Sequence, residues 1–199
     1  MWAFFLASLL IELTPGPNMT WLAVLGATHG RRTAFAAVAG IALGLAVAGI
    51  VAAFGLVVLF DNFPGLVTAL RVAGTLYLLY LAYDAWTDAA VDEVTSAPAR
   101  TYFAQGFVSN ALNPKAYLFY AAILPQFLTV NDHPRREVAV LTAIYVAVAT
   151  GVHSLIALGS GSIAGWLHRS PQAVLLRRAL AVLIALAAIW FFISTGALK

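Results

Sequence analysis

Three stretches of this chain, residues 33–60, 138–167 and 179–198, contain no Asp, Glu, Lys or Arg. Each meets or exceeds the roughly 20 residues that a helix needs to cross about 30 Å of hydrocarbon. With 62% hydrophobic and 10% charged residues and a mean hydropathy of +0.91, the chain is not a soluble globular protein. A bilayer adds a second constraint, because every backbone N–H and C=O inside it must find a partner within the protein. Two otherwise apolar segments break that rule, at Thr14-Pro15-Gly16-Pro17-Asn18 and at Asn113-Pro114-Lys115. Proline has no N–H, so Pro15 releases the Ile11 carbonyl, Pro17 that of Leu13 and Pro114 that of Asn110. Such backbone persists only when buried in protein or lining a wet cavity. Paired interruptions in corresponding segments point to a substrate site near the midplane of a secondary transporter.

Charge and composition exclude other classes. The formal net charge is +3, but the basic residues lie in short clusters between apolar segments. No aromatic-interleaved basic patch exists, so nucleic acid is not an expected partner. There are no cysteines, which excludes disulfides, thiolate-bound metals and thiol catalysis; no metal or cofactor is expected. Met1-Trp2-Ala3-Phe4-Phe5 has no basic lead-in, and no small-residue cleavage site follows. The N-terminus is therefore expected to be a retained first span rather than a signal peptide.

The expected architecture is all-α and integral to the membrane, with spans near 2–26, 34–60, 64–86, 102–130, 138–166 and 176–197. Polar breaks separate them at 28–32, 61–65, 88–100, 131–137 and 168–178. The third span is the shortest between charges, with Arg71 and Asp84 expected to reach opposite interfaces. Features recur with an offset of about one hundred residues. Pro15 pairs with Pro114, and Arg71 with Arg177 and Arg178. The ridge of Ala36, Gly40, Gly44 and Ala48 pairs with one of Ala139, Ala143, Ala147 and Gly151. Small residues at this spacing let helices approach closely where lipid gives no hydrophobic drive. Three spans per half mean that the second half enters from the opposite side. The chain 1–199 then reads as one transmembrane domain, a 3+3 inverted repeat with helices one and four broken. Repeat one covers about 1–87, a polar loop about 88–101, and repeat two about 102–199. The ridges also permit a homodimer. Arg31, Arg32, Arg100, Arg169, Arg177 and Arg178 fall on one side; Arg135, Arg136, Lys199 and Arg71 fall on the other. The excess of positive charge on the first side places both termini outside the cytoplasm.

A few polar residues inside the spans are candidates for chemistry. Glu12 lies about one turn from the first break, where an ionisable group costs roughly 2.5–3.5 kcal/mol to insert and by default marks a site. As a carboxylate it holds a substrate ammonium; as an acid it carries a coupled proton. A purely structural pair with a lysine is the competing reading. Lys115 follows Pro114 and, at the start of a half-helix, opposes the positive end of its dipole. A substrate carboxylate or Glu12 offsets that. Asn18 is placed to cap the helix that restarts after Pro17. Asn110 and Asn113 either satisfy backbone freed by Pro114 or touch substrate. His153 suits a proton relay, or a neutral hydrogen bond between helices. Arg71, Asp84 and the loop arginines read as interfacial anchors; Tyr77, Tyr80, Tyr83 and Trp86 read as packing or an interfacial belt.

Taken together, several of these elements resemble the lysine exporter (LysE/RhtB) superfamily. They are Thr14-Pro15-Gly16-Pro17-Asn18, Gly30-Arg31-Arg32 leading to Gly40 and Gly44, and Gly74-Thr75-Leu76-Tyr77-Leu78-Leu79-Tyr80-Leu81. In the second half they are Gly106, Asn110, Asn113-Pro114-Lys115 and Leu124-Pro125-Gln126-Phe127. The match runs in order from about residue 10 to 130. The resemblance implies export of amino acids or their derivatives across a bacterial plasma membrane, driven by protons. The paired breaks themselves, including Thr14, Pro15, Gly16 and Pro17, are what point to substrate contact there. Departures are Leu45, where some relatives carry an acid, His153, near which some have an aspartate, and Glu12, at a place that is usually apolar. The case for Glu12 therefore rests on its own chemistry. Two other classes were weighed. A passive channel or structural subunit leaves the paired breaks and ionisable residues unexplained. An intramembrane hydrolase using His153 and Gly159-Ser160-Gly161-Ser162 lacks a carboxylate beside the His and the Gly-x-Ser-x-Gly spacing.

Overall fold

The computed structural model describes residues 1–14, 16–53, 65–88, 97–128, 134–169 and 172–196. Among them every regular element is helical. Three helical stretches, Arg31–Ala53, Arg136–Trp166 and Ala173–Trp190, are long and apolar enough to cross a membrane.

The first apolar segment forms two helices, α1 (Trp2–Leu13) and α2 (Pro17–His29), separated by the proline-rich stretch. Pro17 is the first residue of α2, where its missing N–H leaves no bond unmade. Pro15 lies outside the described residues. The expected loop at 28–32 shrinks to a single residue. Gly30, at φ 84°, donates to the Gly26 carbonyl, and α3 (Arg31–Ala53) starts at once. Only glycine takes that φ freely, so one residue reverses the chain where five were expected. The end of the expected second span, 54–60, lies outside the described residues. So do the break at 61–64, most of the polar loop (89–96) and the C-terminal Lys199.

Helix α4 (Gly65–Asp88) follows, then α5 (Ala99–Ala111). The second break falls at Leu112 and Asn113, and α6 (Pro114–Leu118) restarts the chain. It continues through one π turn, Phe119–Ile123, and one 3-10 turn, Leu124–Phe127. Helix α7 (Pro134–Gly161) is followed by the short α8 (Ala164–Arg169) and by α9 (Ala173–Gly196). Helix thus extends into both polar stretches flanking α7, while the expected fifth span is interrupted at Ser162 and Ile163.

The core is built on contact between α3 and α5. A Cβ at Gly40 would collide with the Phe103 carbonyl, and a Cβ at Gly106 with the Ala37 carbonyl. The two backbones touch reciprocally through missing side chains, the arrangement that small residues permit. The first small-residue ridge therefore does what its spacing predicts. The second does not. Ala139, Ala143, Ala147 and Gly151 lie on an exposed face of α7, and nothing approaches Gly151 within 4 Å. Spacing defines a stripe but not the direction it faces. Arg71 of α4 lies over the Phe192 ring of α9 at 4.7 Å, and Arg178 of α9 over Trp86 of α4 at 5.1 Å. These cation–π contacts tie α4 to α9.

Gly106→Val should lower stability by about 2 kcal/mol or more, because a backbone carbonyl cannot move aside as a side chain does. Gly151→Ala should be neutral or stabilise by up to about 1 kcal/mol. Thermal unfolding of the two variants in detergent compares them directly.

Candidate functional site

The two breaks meet. A cavity of about 20 Å³ lies between them, lined by residues of both broken stretches and by α3 and α7. Glu12 supplies a carboxylate from the last turn of α1. Gly16, Pro17, Asn18 and Met19 supply the first turn of α2, and Asn110, Asn113, Lys115 and Ala116 the second break. Leu45, Tyr145 and His153 complete the wall. A space of this size holds about one water.

Glu12 is 4% exposed and is held from α7. The Tyr145 hydroxyl donates to Oε1 at 2.7 Å, and His153 Nε2 lies 3.8 Å from Oε2. Tyr145 and His153 are themselves buried, at 1% and 4% exposure. The carboxylate's partners within the protein are thus a phenol and an imidazole. Lys115 lines the same cavity but forms no direct pair with Glu12. Its Nζ donates to the Thr14 carbonyl at 3.0 Å, spanning the two breaks.

A polar chain joins the other halves. Ser109 Oγ donates to Asn18 Oδ1 at 2.7 Å, and Asn18 Nδ2 donates to Asn110 Oδ1 at 3.4 Å. Asn110 Nδ2 is buried without a protein partner and lies beside Gly44, where an added Cβ would sit 3.1 Å from it. Buried amides rarely leave a donor unused. This one belongs to a residue of the cavity wall.

Local repair explains the remaining residues. Thr14 N–H donates to the Ile11 carbonyl at 3.2 Å, and Asn113 N–H to the Asn110 carbonyl at 3.0 Å. Two of the three carbonyls that proline releases are thereby satisfied within their own turn. Asn113 Oδ1 accepts from Lys115 N–H at 3.1 Å, capping α6. Asn18 does not cap α2; Gly16 is its N-cap, and no side chain bonds there. As the second residue of α2, Asn18 points across to α5 instead. Thr14 is exposed, its hydroxyl donating to the Leu10 carbonyl at 3.1 Å, and only its carbonyl serves the site.

This constellation joins the elements on which the resemblance rested, and the whole chain carries the match. The family of LysE type translocators matches residues 9–195. The chain belongs to that family. It is 29% identical to the homoserine/homoserine lactone efflux protein of Salmonella typhimurium over 188 residues, covering 92% of this chain and 91% of that one. A leucine efflux protein of Klebsiella pneumoniae is 31% identical over 133 residues, 64% of this chain and 63% of the relative. The threonine efflux protein of Escherichia coli K12 is 29% identical over 157 residues, 73% and 76% of the two chains. No solved structure matches.

Within this LysE-type chain the structure brings together Glu12, Gly16, Pro17, Asn18, Asn110, Asn113, Pro114, Lys115 and His153. Tyr145 and Ser109 were not legible beforehand, and Leu45 stood out only as a departure from the family pattern. A lone Tyr or Ser in an apolar helix carries no pattern; only Tyr145, eight residues before His153 on α7, had a spacing that invited attention. Ser160 is remote from the imidazole's carboxylate partner and donates to the Ile156 carbonyl at 2.7 Å, so no Ser–His pair forms.

Asn18→Ala removes the acceptor of Ser109 and a partner of Asn110 together. It should cost about 1–3 kcal/mol of stability, read as a lower unfolding midpoint in detergent. Ser109→Ala, which leaves the Asn18–Asn110 bond in place, should cost less.

Proposed function

We propose that this chain exports amino acids or their derivatives from the cytoplasm by proton antiport, with substrate bound between the two helix breaks. One observation carries the reading: a buried carboxylate and a lysine line a single cavity where both interrupted helices meet. The efflux relatives, named for homoserine, leucine and threonine, support a small amino acid as cargo.

The chemistry follows from what each group lacks. Lys115 rests on a neutral carbonyl of Thr14; a substrate carboxylate is a stronger partner, because charge-assisted bonds are roughly twice as strong as neutral ones. The first turn of α2 reinforces that choice, since the N–H groups of Asn18 and Met19 have no intrahelical acceptor. The substrate ammonium goes to Glu12, displacing the hydroxyl of Tyr145 or the imidazole. Asn110 Nδ2 is the free donor for a carboxylate oxygen or a side-chain hydroxyl. The Ile11 carbonyl accepts from Thr14 N–H and keeps a second lone pair that can help with the ammonium. A cavity for one water does not hold an amino acid, so this arrangement is the closed one, and binding requires opening.

Alternating access comes from two halves rocking about this site. Residues of the first half (α1 to α4) and second half (α5 to α9) face each other across it, which favours six spans arranged as a 3+3 inverted repeat. The bacterial inner membrane is the placement that the family suggests, and the arginine distribution favours both termini on its outer side. Protons exchange with substrate at Glu12, with His153 3.8 Å away as donor or acceptor.

Glu12→Gln should abolish efflux driven by a pH gradient in vesicles while the protein still inserts and unfolds normally. Normal coupled efflux in that variant removes Glu12 from the mechanism. Intracellular amino-acid pools, compared with and without the protein under dipeptide loading, identify the cargo by which pool falls.

A further inference from the structure

Tyr145, in the cavity wall, belongs to a cluster of aromatic rings, and its hydroxyl is bonded to the carboxylate. Phe4, Ser8 and Glu12 lie one turn apart on the buried face of α1. Phe4 contacts Phe119 at 5.7 Å and Phe127 at 5.2 Å between ring centroids. Phe119 stacks on Tyr145 at 3.9 Å and 21°, and Tyr120 meets Tyr145 edge-on at 5.4 Å. Phe4, Phe119, Tyr120 and Tyr145 are all buried. They form a continuous plug from the Trp2 end of α1 up to Glu12. On the other side a second small cavity is lined by buried Trp21, Val24 and Leu25 as well as by Thr28, His29 and Tyr102.

Two further features mark the plug as movable rather than inert core. Phe119 and Tyr120 open the single π turn, Phe119–Ile123. Such turns hold one residue more than an α turn and concentrate at functional sites. The plug is also anchored at its edges by only two hydroxyls. Tyr120 donates to the Leu45 carbonyl at 3.0 Å, and Tyr145 to Glu12 Oε1 at 2.7 Å. The first anchor is neutral and fixed. The second depends on what else the carboxylate is bonded to.

We propose that Tyr145 is the positioning residue that couples occupancy of Glu12 to an aromatic gate of Phe4, Phe119, Tyr120, Phe127 and Tyr145. When a proton or a substrate ammonium takes the carboxylate, the phenol loses its charged acceptor. Tyr145 then swings free, Phe119 loses the ring stacked on it, and the π turn lets both rings withdraw. The groups that face Glu12 are Tyr145 and His153 from α7 and Lys115 from α6; α2 presents Asn18 and α3 presents Leu45, neither charged. The state of Glu12 is therefore sensed by Tyr145 through a direct bond. This inference rests on the cavity being the transport site.

The chain has no cysteine, so a single probe thiol can be placed at Ser8, which is fully buried between plug and carboxylate and whose hydroxyl has no partner. Ser8→Cys should react slowly with a membrane-impermeant maleimide. Adding Tyr145→Phe, which keeps the ring and removes only the hydroxyl, should raise the rate about tenfold or more, as expected for losing a hydrogen bond to a charged group. The rise should be confined to vesicles that expose the Trp2 face. Glu12→Gln should raise it similarly, and the two together should do no more than either alone, since both act on one bond. Additive increases, or an unchanged rate with Tyr145→Phe, overturn the proposal. If Tyr145→Phe fails to fold, Glu12→Gln alone decides it: an unchanged labelling rate in that variant overturns the proposal. Coupled efflux by the parent protein, measured alongside, separates the two ideas. Efflux with unchanged labelling defeats only the gate; altered labelling without efflux defeats only the export reading.

Discussion

Backbone groups inside an apolar medium must be satisfied by the protein itself, and this molecule is arranged around two places where proline prevents that. An unpaired carbonyl in hydrocarbon costs several kcal/mol. Each break is first mended locally. Thr14 N–H turns back to Ile11, and Asn113 N–H turns back to Asn110. A further carbonyl at the first break, that of Thr14, is met from the second break by Lys115. That reach fixes the distance between the two interrupted helices and so creates the cavity. The same residue that mends the backbone is the cation best placed for a ligand.

The buried charge follows a similar logic. An isolated carboxylate in a dry interior is costly, and Glu12 is tolerated because α7 brings both a phenol and an imidazole to it. Neither is a full counter-charge. The lysine that would be one is held a short way off, on a neutral carbonyl. A direct ion pair would have been tighter and also inert. Keeping acid and base apart across a small space leaves each with a stronger bond still to make, a property suited to a zwitterion. The tyrosine adds a second consequence, because its ring belongs to the aromatic plug while its hydroxyl belongs to the acid.

Close approach of α3 and α5 sets the floor of this arrangement. Gly40 and Gly106 remove the side chains that would hold the helices apart. Gly44, one turn further along, leaves room for Asn110 beside it, so the amide cluster with Asn18 and Ser109 depends on a missing Cβ as much as on its own hydrogen bonds. Small residues thus serve packing at one end of the ridge and the site at the other.

Much was legible beforehand because proline and charge act locally. Any proline deprives a specific carbonyl, and any uncharged run of sufficient length suits a bilayer, whatever the rest of the chain does. The helical class, both breaks and the residues around them follow from this; the family followed from the resemblance of the motifs. Length and polarity were poorer guides to boundaries: Gly30 alone replaced an expected five-residue loop, since one positive φ suffices to reverse the chain. Local chemistry also misassigned roles. Asn18 looked like a cap and is a cross-helix link, while Asn113 is the cap, because Gly16 already ends the extended segment before α2. The sequence by itself determined which backbone groups would be left wanting, since that depends on residue identity within four positions. Only the tertiary structure decided which side chains answer them. Tyr145, Ser109 and the outward turn of the α7 alanines depend on how helices distant in sequence are rotated against one another, and no local period records that rotation.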